Sequence, residues 1–196
     1  FLVRLVVGGL LKPKHLILVA AVAGRVEAVG RNVMEFQPGD EVFGCGWGSF
    51  AEYVSVPEDA LVLKLASLTF EESAAVPMAA VTALQALRDK GHVQPGQKVL
   101  INGASGGVGT FAVQIAKSFG AEVTAVCSTG KLDMVRSIGA DHVIDYTRED
   151  FTKSGQHYDV IHAANGYHSI LDYRCALSPK GIYVMTGGSM AQVFQA

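Results

Sequence analysis

The hydrophobic pattern changes character near Thr69. Before it, apolar positions come in short runs. Residues 25–29 alternate, residues 32–36 are mixed, and residues 41–43 and 50–56 read as strands, with Phe50, Tyr53 and Val54 apolar. Pro38-Gly39-Asp40 is a turn signal, and Gly44, Gly46 and Gly48 make the next connection tight or mobile. Short strands cut by glycine turns predict a small barrel or sandwich. After Thr69 the period lengthens. Thr69-Phe-Glu-Glu72 fits a capping box, so a helix begins there. Pro77 breaks or restarts it, and residues 79–90 stay helical until Gly91.

From Pro95-Gly96 onward strand and helix alternate. Residues 98–101, 122–127, 142–146, 159–163 and 182–185 read as strands. Val108, Phe111, Ala112, Ile115, Ala116 and Phe119 share one helical face, and Gly120 ends that helix. Shorter helices follow over residues 131–138, closed by Gly139, and 169–177. Such alternation predicts an α/β fold, a doubly wound parallel sheet of about five strands with right-handed crossovers. The expected division is a β-rich domain over residues 1–68 and an α/β domain over 69–196.

Composition narrows the partners. The 196 residues are 49% hydrophobic and 17% charged, which suits a sheet buried on both faces. A net charge of −2 gives no electrostatic reason to expect nucleic acid or an anionic membrane. The apolar run over residues 15–24 is too short to span a bilayer, and Arg4, Lys12 and Lys14 interrupt the start without a cleavage signal. Phe1 is expected to lie inside a longer protein. Cys45, Cys127 and Cys175 form no CxxC pair and read as buried thiols of a reducing compartment, the cytoplasm.

The chemistry gathers at Val99-Leu-Ile-Asn-Gly-Ala-Ser-Gly-Gly-Val-Gly109. A strand runs into a glycine turn and a helix follows at once, which aims free N–H groups at one spot and suits a phosphate. Ala104-Ser-Gly106-Gly-Val-Gly109 stands in place of GxGxxG, with Ala for the first Gly. Gly106 lets backbone approach a pyrophosphate, and Gly109 lets the helix pack close. An NAD-binding domain places a carboxylate about 20 residues on. Here that position is Ser128, in Cys127-Ser-Thr-Gly-Lys131. A hydroxyl and an ammonium suit a 2′-phosphate, which favours NADPH over NADH.

These residues resemble the medium-chain dehydrogenase/reductase superfamily, in its zinc-free quinone oxidoreductase branch. The resemblance rests on Ala23-Gly-Arg-Val-Glu-Ala-Val-Gly30, Phe36-x-Pro-Gly-Asp40, Gly48-Ser-Phe-Ala-Glu-Tyr53, the turn itself and Ile138-Gly-Ala-Asp-His-Val-Ile-Asp-Tyr146. It implies a GroES-like barrel domain beside a Rossmann domain, NADPH as cofactor, and hydride transfer to a quinone or enone. It also implies a homodimer. By the same resemblance Ser105, Gly106, Gly107 and Val108 would cradle the pyrophosphate, and Ser128, Lys131 and Tyr146 the 2′-phosphate. Thr82, Asn165 and Gly187 would lie near the ribose and nicotinamide.

The family begins before and continues after this stretch, so truncation at both ends is expected. Val19-Ala20-Ala21 departs from the family, and His162-Ala-Ala-Asn165, with Gly166 one place late, crowds the ribose. No catalytic residue stands out. The zinc ligands of related alcohol dehydrogenases have no counterpart, since Val19-Ala20-Ala21 replaces the His–Glu pair and no Cys cluster exists. His157, His162 and His168 lack metal-ligand spacing. No metal is expected. Two alternatives stay open: a non-catalytic or inactive NADP(H)-binding chain, and a zinc-free alcohol dehydrogenase using NAD.

Overall fold

The structure, a computed structural model, describes residues 19–188. It divides into two compact units, Phe1–Met78 and Ala79–Ala196. The boundary falls ten residues later than the change in hydrophobic period. The reason is the first helix, α1 (Phe70–Ala75), which packs on strands of the first unit.

In the first unit β1 (Ala21–Arg25), β2 (Glu41–Cys45) and β3 (Leu61–Leu63) form an antiparallel sheet in that order. Arg25 pairs with Glu41 in register and by a 2.8 Å ion pair. The turn at Pro38-Gly39-Asp40 leads into β2 as expected. The first strand ends at Arg25, where the alternation over residues 25–29 begins. One strand expectation fails. Residues 50–56 form no strand among the described residues, and Phe50 is 82% exposed. A strand needs a ladder partner for its backbone groups, and the pattern alone cannot supply one. Thr69 caps α1 as a capping box: its hydroxyl accepts from Glu72 N–H at 3.1 Å and its own N–H donates to Glu72 Oε2 at 2.9 Å.

Past Ala75 the chain winds as a π-turn, Val76–Ala80, then α2 (Val81–Leu84), then a second π-turn, Gln85–Lys90. Pro77 lies in the first π-turn, where its missing N–H removes an α-type bond.

The second unit is a parallel five-stranded sheet in the order β6-β5-β4-β7-β8. Its strands are β4 (Lys98–Asn102), β5 (Glu122–Cys127), β6 (His142–Asp145), β7 (Tyr158–Ala163) and β8 (Leu177–Met185). The helices are α3 (Gly107–Ser118), α4 (Leu132–Ser137) and α5 (Ile170–Cys175). β8 starts five residues earlier than its sequence pattern suggests, because a bulge between Tyr158 and Val160 accommodates Ser178-Pro-Lys-Gly181. One core holds Val99, Ile101, Ala112, Ala116, Val123 and Val160 under α2, α3 and α4. The other holds Leu100, Val126, Phe151, Ile161 and Tyr173 under α5. Helices therefore cover both faces, and the fold is a doubly wound α/β sheet. β4 and β7 are its switch point: the chain leaves β4 toward β5 and returns to β7 on the other side.

Candidate functional site

The strand ends at the switch point are drawn together by paired backbone bonds. The carbonyl of Asn102 accepts from Ala164 N–H at 3.0 Å and Asn165 N–H at 3.2 Å. The carbonyl of Val126 accepts from Gly103 N–H at 3.1 Å and Ala104 N–H at 3.0 Å. The turn after β4 is thus fixed to both neighbouring strands before α3 begins. Its left-handed residue is Gly103, with φ +85°, one place ahead of the glycine pattern read from the sequence. The Asn102-Gly103 pair is a turn signal that the GxGxxG template passes over.

Gly106 and Gly109 do different work. A Cβ on Gly109 would stand 2.1 Å from the Gly103 carbonyl oxygen and 2.7 Å from Ala104 Cα, so α3 sits against the turn with no room for a side chain. A Cβ on Gly106 would meet only Gly103 O, at an ordinary 3.5 Å. Gly106 is the N-cap of α3 and no side chain caps it. The first N–H groups of α3 have no partner within the helix by geometry, and an anion suits them. Ser105, Gly107 and Val108 surround that point along the chain. The arrangement fits a pyrophosphate: open space above Gly106, backbone donors, and the positive end of a helix.

At the end of β5, Ser128 caps a short turn, Thr129–Lys131, without a side-chain capping bond. Lys131 N–H donates to Ser128 O at 2.9 Å, and Tyr146 N–H donates to Cys127 O at 3.2 Å. The structure therefore brings Ser128, Lys131 and Tyr146 to neighbouring strand ends. Beside them is a carboxylate that the sequence reading passes over. Asp145, 5% exposed, pairs in register with Cys127. It accepts from the hydroxyls of Thr129 and Thr147 and from Thr147 N–H, and Arg148 stands 3.6 Å away. The Thr129 and Thr147 hydrogen bonds hold Asp145 below the usual carboxylate range. Its acceptors are consumed inside the protein. Only its register opposite Cys127 could have flagged it.

A cavity of about 160 Å³ opens at the switch point, lined by Asn102, Gly103, Tyr146, Asn165 and Tyr167. It unites Tyr146 and Asn165 with three residues outside the sequence-derived set. A larger cavity, about 480 Å³, is lined by residues 21–74 of the first unit and holds none of that set. Gly187 follows β8. Its carbonyl accepts from Gly166 N–H at 2.8 Å, and a Cβ there would lie 2.4 Å from Ala164 O. Thr82 lies on α2, one turn after Ala79. Ala79 Cβ would be 3.8 Å from a Cβ on Gly107, so Thr82 shares the face that borders the start of α3.

Sequence comparison agrees with this geometry. The profile described as alcohol dehydrogenase GroES-like domain matches residues 3–67, and the one described as zinc-binding dehydrogenase matches residues 107–195. The chain belongs to the medium-chain dehydrogenase/reductase superfamily. It is 41% identical over 157 residues to the 2-methylene-furan-3-one reductase of Solanum lycopersicum, covering 74% of this chain and 40% of that protein. It is 44% identical over 151 residues to a mitochondrial NAD(P)H oxidoreductase of Mus musculus, covering 71% and 38%. The quinone oxidoreductase of Coxiella burnetii superposes with a TM-score of 0.82 at 30% identity, covering 91% of this chain and 57% of the other. This medium-chain dehydrogenase/reductase chain thus spans about two fifths of the length of those two curated relatives.

Among the described residues no group of three or more His, Cys, Asp or Glu could hold a metal ion. Among them too, no helix is long and apolar enough to cross a membrane.

Proposed function

We propose that the chain supplies the cofactor-binding unit of an NADP(H)-dependent oxidoreductase that passes hydride to a quinone, an enone or a similar conjugated carbonyl compound, without zinc. The observation that carries the cofactor preference is the end of β5. Ser128 and Lys131 offer a hydroxyl and an ammonium there, while the neighbouring carboxylate of Asp145 is buried and saturated. A 2′-phosphate meets donors and a cation, and no open carboxylate repels it.

The residues divide the work along the bound molecule. The N–H groups at the start of α3, with Ser105, Gly106, Gly107 and Val108, hold the pyrophosphate. Ser128, Lys131 and Tyr146 hold the 2′-phosphate. Thr82 and Gly187 orient the nicotinamide, and Asn165 lies by a ribose. The cofactor, once bound, supplies the hydride; the chain's contribution is position and a dry setting for it. The names of the relatives support the acceptor class: a quinone and an exocyclic enone are both conjugated carbonyl compounds.

Titration of the chain with NADPH and NADH tests the reading. Lys131→Ala should weaken NADPH binding roughly tenfold or more and leave NADH nearly unchanged, as expected for loss of one charge-assisted contact. Equal loss for both cofactors refutes the 2′-phosphate assignment. Oxidation of NADPH on addition of a small quinone separates catalysis from a purely nucleotide-binding role.

A further inference from the structure

The turn after β5 has little of its own to hold it in shape. Ser128 opens it without a side-chain capping bond, and its backbone closes through Lys131 N–H to Ser128 O at 2.9 Å. Gly130 adds backbone freedom, and a Cβ there would meet nothing within 4 Å. Thr129, Gly130 and Lys131 are all exposed. Among the described residues, Thr129 is the one member of residues 128–131 whose side chain makes a hydrogen bond.

That bond goes to Asp145. The Thr129 hydroxyl donates to Asp145 Oδ2. The other carboxylate oxygen, Oδ1, accepts from Thr147 N–H at 3.0 Å and from the Thr147 hydroxyl at 2.7 Å. The two Thr147 bonds are an ordinary local turn of an Asp onto the residue two places on. The Thr129 bond is of another kind. It joins residues 16 apart and crosses from the end of β5 to the end of β6, where Asp145 stands in register with Cys127. The side chain of Asp145 is 5% exposed, so water competes little for its oxygens. A buried carboxylate is costly unless its oxygens are answered, and hydrogen bonds to it are charge-assisted.

The consequence lies in the neighbours. Ser128 immediately precedes Thr129, Lys131 follows it by two places, and Tyr146 stands between Asp145 and Thr147. All three residues assigned to the 2′-phosphate are therefore within two positions of an atom bonded to the Asp145 carboxylate. A lysine on an untethered turn must be ordered when the ligand arrives, and that ordering subtracts from affinity. A tether made in advance removes part of this cost. The charge of Asp145 by itself opposes a phosphate, so any gain comes from geometry.

We propose that Asp145 is a positioning residue for cofactor selection: through the Thr129 hydroxyl it locks the turn of residues 128–131 in the conformation that presents Ser128 and Lys131 to a 2′-phosphate. The inference rests on the NADP(H) reading above and adds to it the residue pair that sets the preference. Asp145 acts through Thr129, and the phosphate is held by others.

Fluorescence titration of the full 196-residue chain with NADPH and with NADH tests it, the readout being the ratio of the two affinities. A merely structural role weakens both cofactors together and leaves that ratio unmoved. Thr129→Val keeps the shape and removes the tether; it should lower the ratio about three- to tenfold, the scale of one charge-assisted bond. Thr129→Ser should restore the ratio. Asp145→Ala should lower it by a similar factor, and the double variant should lose no more than either single one, because both remove the same bond. Asp145→Asn still accepts from Thr147 and offers an N–H to Thr129, so it should keep the parent's ratio. An unchanged ratio in Thr129→Val overturns the proposal, and so do additive losses in the double variant. An unchanged ratio in Asp145→Ala overturns it as well, since the freed Thr129 hydroxyl would then be meeting the phosphate directly. Should Asp145→Ala not fold, the Val and Ser variants of Thr129 decide. A parent that prefers NADPH while its variants keep that preference loses this proposal alone; a parent that binds NADPH no tighter than NADH loses the 2′-phosphate reading and the proposal together.

Discussion

Gly109→Ala isolates what the glycine turn does for the fold, as distinct from what it does for a ligand. An added Cβ would stand 2.1 Å from Gly103 O, 2.7 Å from Ala104 Cα and 2.8 Å from Ala104 C. All three are backbone atoms, so no side chain can swing away. Carbon contacts relax near 3.5 Å, so α3 and the turn must separate by more than about 1 Å. Yet Gly103 and Ala104 are both bonded to Val126 O, and Gly103 O accepts from Gly106 N–H at 3.1 Å. The turn cannot retreat without losing these bonds. Overpacking of this kind costs about 1–3 kcal/mol, and the upper end applies where backbone meets backbone. The better helix propensity of Ala returns about 1 kcal/mol. The net loss is about 2 kcal/mol, or roughly an 8 °C fall in the melting temperature of a unit this size. Thermal unfolding followed by circular dichroism without cofactor measures it. Gly106→Ala is the control, since a Cβ there has only an ordinary contact at 3.5 Å. It should melt within a few degrees of the parent, in line with a modest N-cap change, and weaken NADPH binding by blocking the space above the turn. A Gly109→Ala chain that melts with the parent would refute the steric account of this position.

Three further outcomes are expected. Tyr173→Phe removes the acceptor of the buried Asn102 amide and should cost about 1–3 kcal/mol of stability by denaturant titration; an unchanged midpoint would separate Asn102 from Tyr173. His162 is wholly buried, and burial lowers its pKa from 6.5 to about 4. The unfolded chain takes up that proton near pH 6.5 and the folded chain resists it. Stability is therefore full above pH 6.5 and declines as the pH drops toward 4, by at most roughly 3 kcal/mol. A pH series of urea midpoints, flat across that window for the parent, would contradict it. Gly187→Ala should lose folded population or cofactor affinity, because its Cβ would meet the Ala164 carbonyl oxygen at 2.4 Å; parental stability together with parental NADPH affinity would count against this.

Helix ends were the most legible part of the chain. Thr69 and Glu72 specify a capping box within four residues, and the structure closes both of its bonds. Gly120 and Gly139 end helices with φ of +78° and +110°, a conformation that other residues resist. The parallel strands were equally plain, since buried runs such as Val99-Leu-Ile101 need no partner-specific pattern to be recognised. Residues 50–56 show the opposite case. Their alternation fits a strand, but a strand exists only where a second strand answers its backbone groups.

The site divides along the same line. Local sequence determined the elements that depend on neighbours in the chain: the strand–turn–helix around Gly106 and Gly109, the Ser128–Lys131 turn, and the caps. Tertiary structure alone decided which strand ends meet. It placed Asn165 against Gly103, turned Asp145 inward onto Thr129, and set Tyr167 across from Tyr146 at the cavity that Asn102 also lines. Sheet order β6-β5-β4-β7-β8 makes those neighbours, and that order is a property of packing between segments far apart in sequence, which no local pattern encodes.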